Sequence, residues 1–262
     1  MPVTATADHA QLAEWLGRFL ARDPVRGTLL GTVRAALGPG AWGAIDGGDC
    51  LAVRSGSAYP VVIVGDWPGA HRAELRGLLA GLPQVAAVAG PAPVVIELAA
   101  DLPGRPHTMA QALHRLDELR EPPPVPGRAA PAVDAERPLL RAWFAAFLAD
   151  VFEEPRPGDT TLDSALDQRH CWLWRDVDDR PVSMACRRPA FNGSARIGPV
   201  YTPPQHRGHG YGSAVTAAAT RDVLAEGAVP VLFTDLANPT SNKIYRELGY
   251  YVIDERIVIS FK

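Results

Sequence analysis

The feature that most constrains this chain is a glycine-rich stretch placed directly before an alanine-rich segment. Three glycines, Gly208, Gly210 and Gly212, alternate with other residues, and residues 213–226 then have the composition of a helix. A helix N-terminus offers backbone N–H groups without intrahelical partners and the positive end of the helix dipole. Glycines at that point let a phosphate approach the backbone, so the stretch predicts a phosphate-binding loop.

Three kinds of phosphate-binding loop compete. A P-loop requires a Gly-Lys-Ser/Thr ending, and this loop contains no lysine. A dinucleotide fingerprint, which would make the chain a nucleotide-binding oxidoreductase, requires Gly-x-Gly-x-x-Gly directly after a strand. Gly208 and Gly210 fit its first pair, but Ser213 occupies the place of the third glycine, and residues 202–206 separate the loop from the preceding strand. This interpretation is therefore disfavoured.

The third kind fits better. Gln205-x-x-Gly208-x-Gly210 resembles the Arg/Gln-x-x-Gly-x-Gly/Ala signature of the GNAT superfamily of acetyl-CoA-dependent N-acetyltransferases. A later segment resembles the family pattern Asn-x-x-(small)-x-x-x-Tyr-x-x-x-Gly-Tyr/Phe, and it is matched by Asn238, Ser241, Tyr245, Gly249 and Tyr250. The resemblance covers residues 128–262. The sequence of the later segment, Asn-Pro-Thr-Ser-Asn-Lys-Ile-Tyr, is most similar to that of the FR47-like branch.

The resemblance implies an α+β fold with a mixed, splayed sheet flanked by helices, and transfer of an acetyl group from acetyl-CoA to a small-molecule or peptide amine. It assigns the coenzyme A pyrophosphate to the loop, the pantetheine arm to backbone groups of the strand at 193–202, and a further cofactor contact to the cap of a late helix. The implied cofactor-binding residues are Val200, Thr202, Arg207, Gly208, His209, Gly210, Tyr211, Gly212, Ser213 and Asn238. Tyr245 is the implied general acid toward the sulfur of coenzyme A.

The general base stays open. Many family members carry a glutamate on the strand before the loop, but residues 194–198 contain no carboxylate. Asp235, Glu153, Glu154 and a chain of water molecules are the alternatives. The missing glutamate also favours a second hypothesis, in which the domain binds or senses an acyl-CoA without catalysis.

Clustered prolines divide the chain. Residues 121–127, Glu-Pro-Pro-Pro-Val-Pro-Gly, predict a stiff linker between an N-terminal α+β domain at 1–120 and the acetyltransferase domain at 128–262. The N-terminal half has no such glycine loop. Its helix-helix-strand opening is compatible with a degenerate copy of the same fold, and this half is expected to shape the acceptor site or a homodimer interface.

Secondary structure follows from periodicity and caps. In the first half we expect a helix carrying Leu12–Leu20, a second helix from Asp23-Pro24 to about Gly38, a helix at 70–80, and strands at 42–46, 49–54, 60–65 and 84–88. Residues 92–102 fit helix or strand, and Thr108–Leu116 fits a late strand. In the second half we expect helices from Asp134, at 160–169, at 210–226 and from Asn238 to Gly249, and strands at 171–174, 182–187, 193–202, 229–234, 250–254 and 256–261.

Composition excludes several classes of protein. A net charge of −3 gives no electrostatic lead toward nucleic acid, and no apolar run is long enough to cross a membrane. The three widely spaced cysteines argue against a disulfide framework and fit a reducing, cytoplasmic location. The start of the sequence lacks the pattern of a signal peptide. No metal-binding motif is present in the sequence.

Overall fold

The computed structural model describes residues 2–152 and 161–261. The chain divides into two compact units. The first consists of Met1–Leu113, Thr234–Ala237 and Ile253–Lys262, and the second of His114–Phe233 and Asn238–Val252. The chain therefore returns to the first unit twice after it has entered the second.

The elements up to the linker come in the order β-α-α-β-β-β-α-β-α-β. They are β1 (Thr4–Thr6), α1 (His9–Arg22), α2 (Thr28–Ala35), β2 (Trp42–Ile45), β3 (Leu51–Arg54), β4 (Val61–Val64), α3 (Gly69–Ala80), β5 (Ala87–Gly90), α4 (Ala92–Ala99) and β6 (Pro106–Leu116). The residues predicted ambiguous at 92–102 contain a helix, and the strand predicted at 84–88 begins three residues later, at Ala87.

The elements after the linker repeat this order. They are β7 (Arg128–Pro131), α5 (Arg137–Phe152), α6 (Thr161–Asp167), β8 (Cys171–Arg175), β9 (Pro181–Arg187), β10 (Ser194–Tyr201), α7 (Tyr211–Ala225), β11 (Val229–Asp235), α8 (Pro239–Glu247) and β12 (Tyr250–Phe261). Residues 134–136 form a 3-10 turn before α5. The predicted glycine loop lies between β10 and α7, as expected.

Two predictions of secondary structure were wrong. The second helix begins at Thr28 rather than at Asp23-Pro24, because the Asp23 carboxylate accepts from the N–H groups of Val25 and Arg26 and closes a turn before the helix. The two strands predicted at 250–254 and 256–261 form one strand, β12. The residues between them, Asp-Glu-Arg, are polar but include no glycine or proline to end a strand.

The sheet of the second unit has the strand order β11-β10-β9-β8-β7. Neighbouring strands are antiparallel except β10 and β11, which run parallel. Among the described residues, the β10–β11 register joins Ser194–Arg196 to Val229–Val231 and ends there. The rest of β10 continues along β9 alone, so the two parallel strands diverge, and the predicted splay is confirmed.

Helices cover both faces of this sheet. One core cluster joins Val215 of α7 and Tyr245 of α8 to Ile197 of β10. The other joins Leu140 of α5 and Leu162 of α6 to the opposite face of β8–β10. The mixed α+β architecture with a helix-flanked sheet is thus as predicted.

The sheet of the first unit runs β1-β2-β3-β4-β5-β12. Its last member comes from the end of the chain, where Ile257–Ser260 pair antiparallel with Ala87–Gly90. Ile259 lies in the same core cluster as Val88 and Trp67.

The sequence argued against a disulfide framework, and the structure contains one disulfide that the cysteine spacing did not predict. Cys171 and Cys186 lie opposite each other in the β8–β9 register and form a disulfide, while Cys50 is free and buried. The strands predicted at 171–174 and 182–187 placed the two residues on neighbouring strands, but the sequence did not predict the register that makes them face each other.

Candidate functional site

The loop between β10 and α7 has the backbone of an anion-binding site. Gly208 and Gly210 have φ of +80° and +79°, and α7 begins immediately afterward with Gly210 as its N-cap. Within the described chain, no side chain caps this helix. The first-turn N–H groups, those of Tyr211, Gly212 and Ser213, are therefore available at the positive end of the helix dipole.

The three glycines are restricted to different degrees, and Gly212 least, because it has no positive φ and a Cβ there would make an ordinary contact. A Cβ on Gly208 would meet no described atom within 4 Å, so only the positive φ restricts that position. A Cβ on Gly210 would lie 2.8 Å from Cγ1 of Val125, and one on Gly212 would lie 3.4 Å from Oγ1 of Thr202. Val125 belongs to the proline-rich segment, so that segment packs against the loop, a contact that sequence reasoning missed.

The polar side chains of the loop have local partners. Arg207 donates from Nη2 to Asp150 at 2.8 Å and from Nε to the carbonyl oxygen of Thr202 at 2.9 Å. The His209 ring stacks on Tyr211, with the ring centroids 5.6 Å apart. Arg207 thus ties the loop to α5 and to the end of β10 while keeping about half of its side chain exposed.

The predicted pantetheine strand leaves part of its edge open. After Arg196, β10 has left β11, and a bulge between Ile197 and Val200 interrupts its pairing with β9. The Thr202 hydroxyl lies 2.8 Å from Oγ of Ser183. Backbone groups that no neighbouring strand pairs are suited to an extended ligand that adds to the strand.

Tyr245 belongs to the core cluster that also contains residues of the diverging strand β10. Its side chain is buried in the cluster that includes Ile197, with Val200 packed against that cluster. Its ring is 6.1 Å from the Tyr250 ring and 6.4 Å from the His114 ring. Burial raises the pKa of Tyr245 to about 12, because desolvation disfavours the tyrosinate. The hydroxyl is accordingly protonated at neutral pH, as a proton donor must be.

The other predicted residues occupy defined positions. Asn238 is the N-cap of α8, and its side chain accepts from the N–H of Ser241 at 3.0 Å. Among the three carboxylates considered as general base, Asp235 accepts from the N–H of Ala237, and Glu153 and Glu154 lie outside the described residues.

The first unit lacks this arrangement at the corresponding place in its element order. The segment between β4 and α3, Gly65–Pro68, contains the fully buried Trp67 and Asp66, which pairs with Arg72. A Cβ on Gly90 of β5 would lie 2.6 Å from the carbonyl oxygen of Ile63, so β4 and β5 remain close together there. Trp67 and Asp66 therefore occupy the segment of the first unit that corresponds to the glycine loop of the second unit.

The comparisons with known proteins agree with this geometry. Residues 178–259, which contain the loop, α7 and α8, match the family model "FR47-like protein". Residues 178–259 form an FR47-like domain. No curated protein has a significantly similar sequence.

Solved structures extend the likeness to the whole chain. A GNAT-family acetyltransferase from Colwellia psychrerythraea shares 12% identity with a TM-score of 0.63, and the alignment covers 100% of both chains. A Drosophila protein shares 14% identity with a TM-score of 0.70, covering 99% of this chain and 98% of that one. A GCN5-related N-acetyltransferase from Sphaerobacter thermophilus shares 17% identity with a TM-score of 0.64, covering 98% and 94%. At these identities the likeness shows the fold: this is the GNAT fold.

Within residues 2–152 and 161–261, no helix has the length and apolar character to cross a membrane. No group of three or more His, Cys, Asp or Glu residues in that part of the chain is placed to hold a metal ion.

Proposed function

We propose that this protein is an N-acetyltransferase that moves an acetyl group from acetyl-CoA directly to an amine. The observation that carries the proposal is the conjunction, in the second unit, of diverging parallel strands with an uncapped, glycine-bearing helix N-terminus at their open end. The FR47-like match over the same residues supports it.

The residues present fit coenzyme A. A side chain at Gly208 or Gly210 would require a strained positive φ, and the loop residues from Arg207 to Gly210 are exposed. We assign the pyrophosphate to the N–H groups at the start of α7, with Arg207 and His209 beside them. We assign the pantetheine arm to the edge of β10 at Val200 and Thr202, and a further contact to Asn238.

When bound, acetyl-CoA supplies an acyl thioester, the activated form of the acetyl group. The chain's own residues hold the phosphates, align the arm along β10 and exclude water with the cluster around Ile197. Tyr245 holds a proton at its hydroxyl for the departing sulfur, and the proton released by the acceptor nitrogen restores it. β10 carries no carboxylate base in the sequence, so an ammonium acceptor gives its first proton to water before attack, or the acceptor enters as the free amine. The proton that restores Tyr245 is the one that the nitrogen loses after it has attacked the thioester.

The test of cofactor binding uses the full chain, because residues 253–262 belong to the first unit and a 128–262 fragment would carry them without their partner strand. Acetyl-CoA at a hundredfold excess over Kd stabilises the native state by about 2.7 kcal/mol, which a rise in Tm reports. Ser213→Glu should remove that rise. A negative charge in the first turn favours the helix itself, so the variant should fold while repelling pyrophosphate. Ser213→Gln, of equal size and no charge, is the matched control.

The test of catalysis is release of coenzyme A thiol in the presence of an amine panel. Thiol release that requires an amine supports the transferase, whereas a Tm rise without release for any amine favours the non-catalytic acyl-CoA-binding alternative. An unchanged Tm rise in Ser213→Glu would show that the loop is not the phosphate site.

A further inference from the structure

The proline-rich segment, residues 121–127, has one side against the second unit and one side exposed. It contains no helix or strand, and its exposure follows a period of three: Pro122 and Val125 are half-buried, whereas residues 123, 124 and 126 are exposed. A polyproline II helix has three residues per turn, so this pattern indicates that conformation with one edge turned toward the protein. Because proline fixes φ, the segment is stiff.

The segment runs along α7 in the direction opposite to the helix. Nη1 of Arg221, in the last turns of α7, donates to both carboxylate oxygens of Glu121, at 3.0 and 2.9 Å. Val125 lies at the other end of the helix, where its Cγ1 would be 2.8 Å from a Cβ on Gly210. The lengths agree, since about 16 Å of helix separates Gly210 from Arg221, and polyproline II from Glu121 to Val125 covers about 12 Å before the side chains are counted.

Strand β8 fixes the end of the segment that lies beside the loop. Nε1 of Trp174 donates to the carbonyl oxygen of Pro126 at 3.0 Å. Gly127 follows with φ of +110°, and a Cβ there would lie 2.0 Å from the carbonyl oxygen of Arg175, so the chain passes in close contact with the backbone of β8. The position of Val125 is therefore set by contacts outside the phosphate loop.

The loop needs such a contact on its helix side. Arg207 ties its beginning to Asp150, but Gly208 and Gly210 follow, and glycine has more backbone freedom to lose on ordering than any other residue. Within the part of the chain that the structure describes, no side chain caps α7. A stiff neighbour packed on Gly210 restricts this freedom before any ligand arrives, which lowers the cost of binding.

We propose that the proline-rich segment braces the phosphate loop, and that Val125 and Trp174 are positioning residues for acetyl-CoA. This inference rests on the proposed function. Val125 acts on Gly210, and Trp174 acts through Pro126 on Val125. A loop that is in its binding conformation for only a fraction of the time binds with an affinity lowered by that fraction, so loosening either contact should weaken the binding of acetyl-CoA.

The experiment measures the Kd of acetyl-CoA by calorimetry on the full-length protein. Val125→Ala removes the methyl groups that pack toward Gly210. Trp174→Phe keeps an aromatic side chain and removes the N–H that reaches Pro126. We expect each variant to raise Kd about 3- to 10-fold, the range for loss of one hydrogen bond or of a few apolar contacts.

A second ligand distinguishes positioning of the loop from a general structural effect. Acetyl-pantetheine carries the same thioester arm as acetyl-CoA but lacks the diphosphate and the nucleotide. Its Kd, measured by displacement of acetyl-CoA, should be the same in the parent and in both variants, because this ligand does not use the phosphate loop.

Two control variants remove the same groups elsewhere in the second unit. Val177→Ala changes a side chain that is 77% exposed in the turn between β8 and β9. Trp172→Phe removes an indole N–H from the same strand and the same core cluster as Trp174, and that N–H has no acceptor among residues 2–152 and 161–261. Both controls should keep the parental Kd for acetyl-CoA.

The outcomes separate this inference from the proposed function. A parental Kd in Val125→Ala and Trp174→Phe would overturn the bracing role, and so would tighter binding, which would mean that the segment obstructs the loop. An equal loss for acetyl-CoA and acetyl-pantetheine would overturn it as well, since it would indicate general loosening of the domain. Absence of acetyl-CoA binding by the parent would overturn the proposed function, and this inference with it. The Tm of each variant without ligand establishes that it is folded.

Discussion

Tyr245 is buried and stays protonated at neutral pH, which are the properties expected of a buried proton donor. It stands on α8, packs in the cluster with Ile197, and has its pKa raised to about 12 by desolvation. A raised pKa keeps the hydroxyl protonated across the neutral range. Deprotonation of Tyr245 should therefore not lower the rate of acetyl transfer as pH rises toward about 10.

We expect Tyr245→Phe to slow transfer while leaving the affinity for acetyl-CoA nearly unchanged. The ring remains, so packing persists and only the proton donor is lost. General acid catalysis contributes about 10²–10⁴-fold, so kcat and kcat/KM should fall together by that factor. The measurement is kcat beside the acetyl-CoA-induced Tm rise. Tyr250→Phe, which removes the hydroxyl bound to Thr220 at 2.7 Å, is the matched control and should lower stability with little effect on rate. A Tyr245→Phe rate within about threefold of the parent would exclude this role.

How far residues could be identified from sequence depended on whether their signal was local. Gly208 and Gly210 could be identified from the sequence, because a positive φ before a helix favours glycine. Asn238 followed by proline predicted its capping role for the same local reason. Val125 gave no such signal, because its contact with the loop depends on the path of the proline-rich segment.

At the scale of elements, a buried ion pair fixes α7 against the sheet. Arg187 of β9, 2% exposed, pairs with Asp222 at 2.6 Å and also with Glu226, both on α7. The carboxylates are more exposed, at 27% and 43%. Because α7 carries the glycine loop at its N-terminus, this contact helps to determine where the proposed phosphate site lies.

We expect an asymmetry when this ion pair is broken from either side. Asp222→Asn combined with Glu226→Gln leaves a buried guanidinium without a carboxylate and should cost about 3–5 kcal/mol of unfolding free energy. Arg187→Met fills similar volume and leaves two carboxylates that water can reach, so it should cost about 1 kcal/mol or less. Urea unfolding measures both, and Glu247→Gln at the exposed Lys243 pair should stay within about 0.5 kcal/mol. Equal costs for the two sides would contradict this account.

Most elements were predictable because their periodicity and caps are local. The helices at 211–225 and 239–247 and the strands β8 to β11 were found from such signals, whereas the short strand β7 was not. The single strand β12 was not, and nor was the pairing of its end with β5, since Ile257 and Gly90 are far apart in sequence. The same limit hid the disulfide between Cys171 and Cys186.

The contribution of β12 to the first unit can be tested within one strand. Ile259 is 7% exposed in the core of that unit, whereas Val252, seven residues earlier, is 44% exposed. Ile259→Ala should cost about 2–4 kcal/mol and accelerate hydrogen exchange of the β5 amides, and Val252→Ala should cost under about 1 kcal/mol. If both variants unfold alike, the end of the chain does not stabilise the first unit.

At the scale of the whole molecule, the repeated element order raises the question of how many cofactors one chain binds. The two halves share the order β-α-α-β-β-β-α-β-α-β, yet the segments before the corresponding helices α3 and α7 differ in their residues. In the second unit, open glycines precede α7 and the strands diverge. In the first, buried Trp67 and the carboxylate of Asp66 precede α3, and β5 stays against β4 at Gly90. We infer that the first unit is a copy of the fold without a coenzyme A site.

Titration of the full-length protein with acetyl-CoA by calorimetry should therefore give one site per chain. The segment before α3 carries Trp67, which is buried in the core, and Asp66, whose carboxylate would repel an anion, in place of a glycine loop. Ser213→Glu should abolish the binding heat entirely, because no second site remains, while Ser213→Gln should keep the stoichiometry of one. Two sites in the parent, or residual micromolar binding in Ser213→Glu, would mean that the first unit binds the cofactor without a glycine loop. Trp67→Phe, which keeps an aromatic core residue, then distinguishes the two places: its Tm should fall while the acetyl-CoA stoichiometry and affinity stay unchanged.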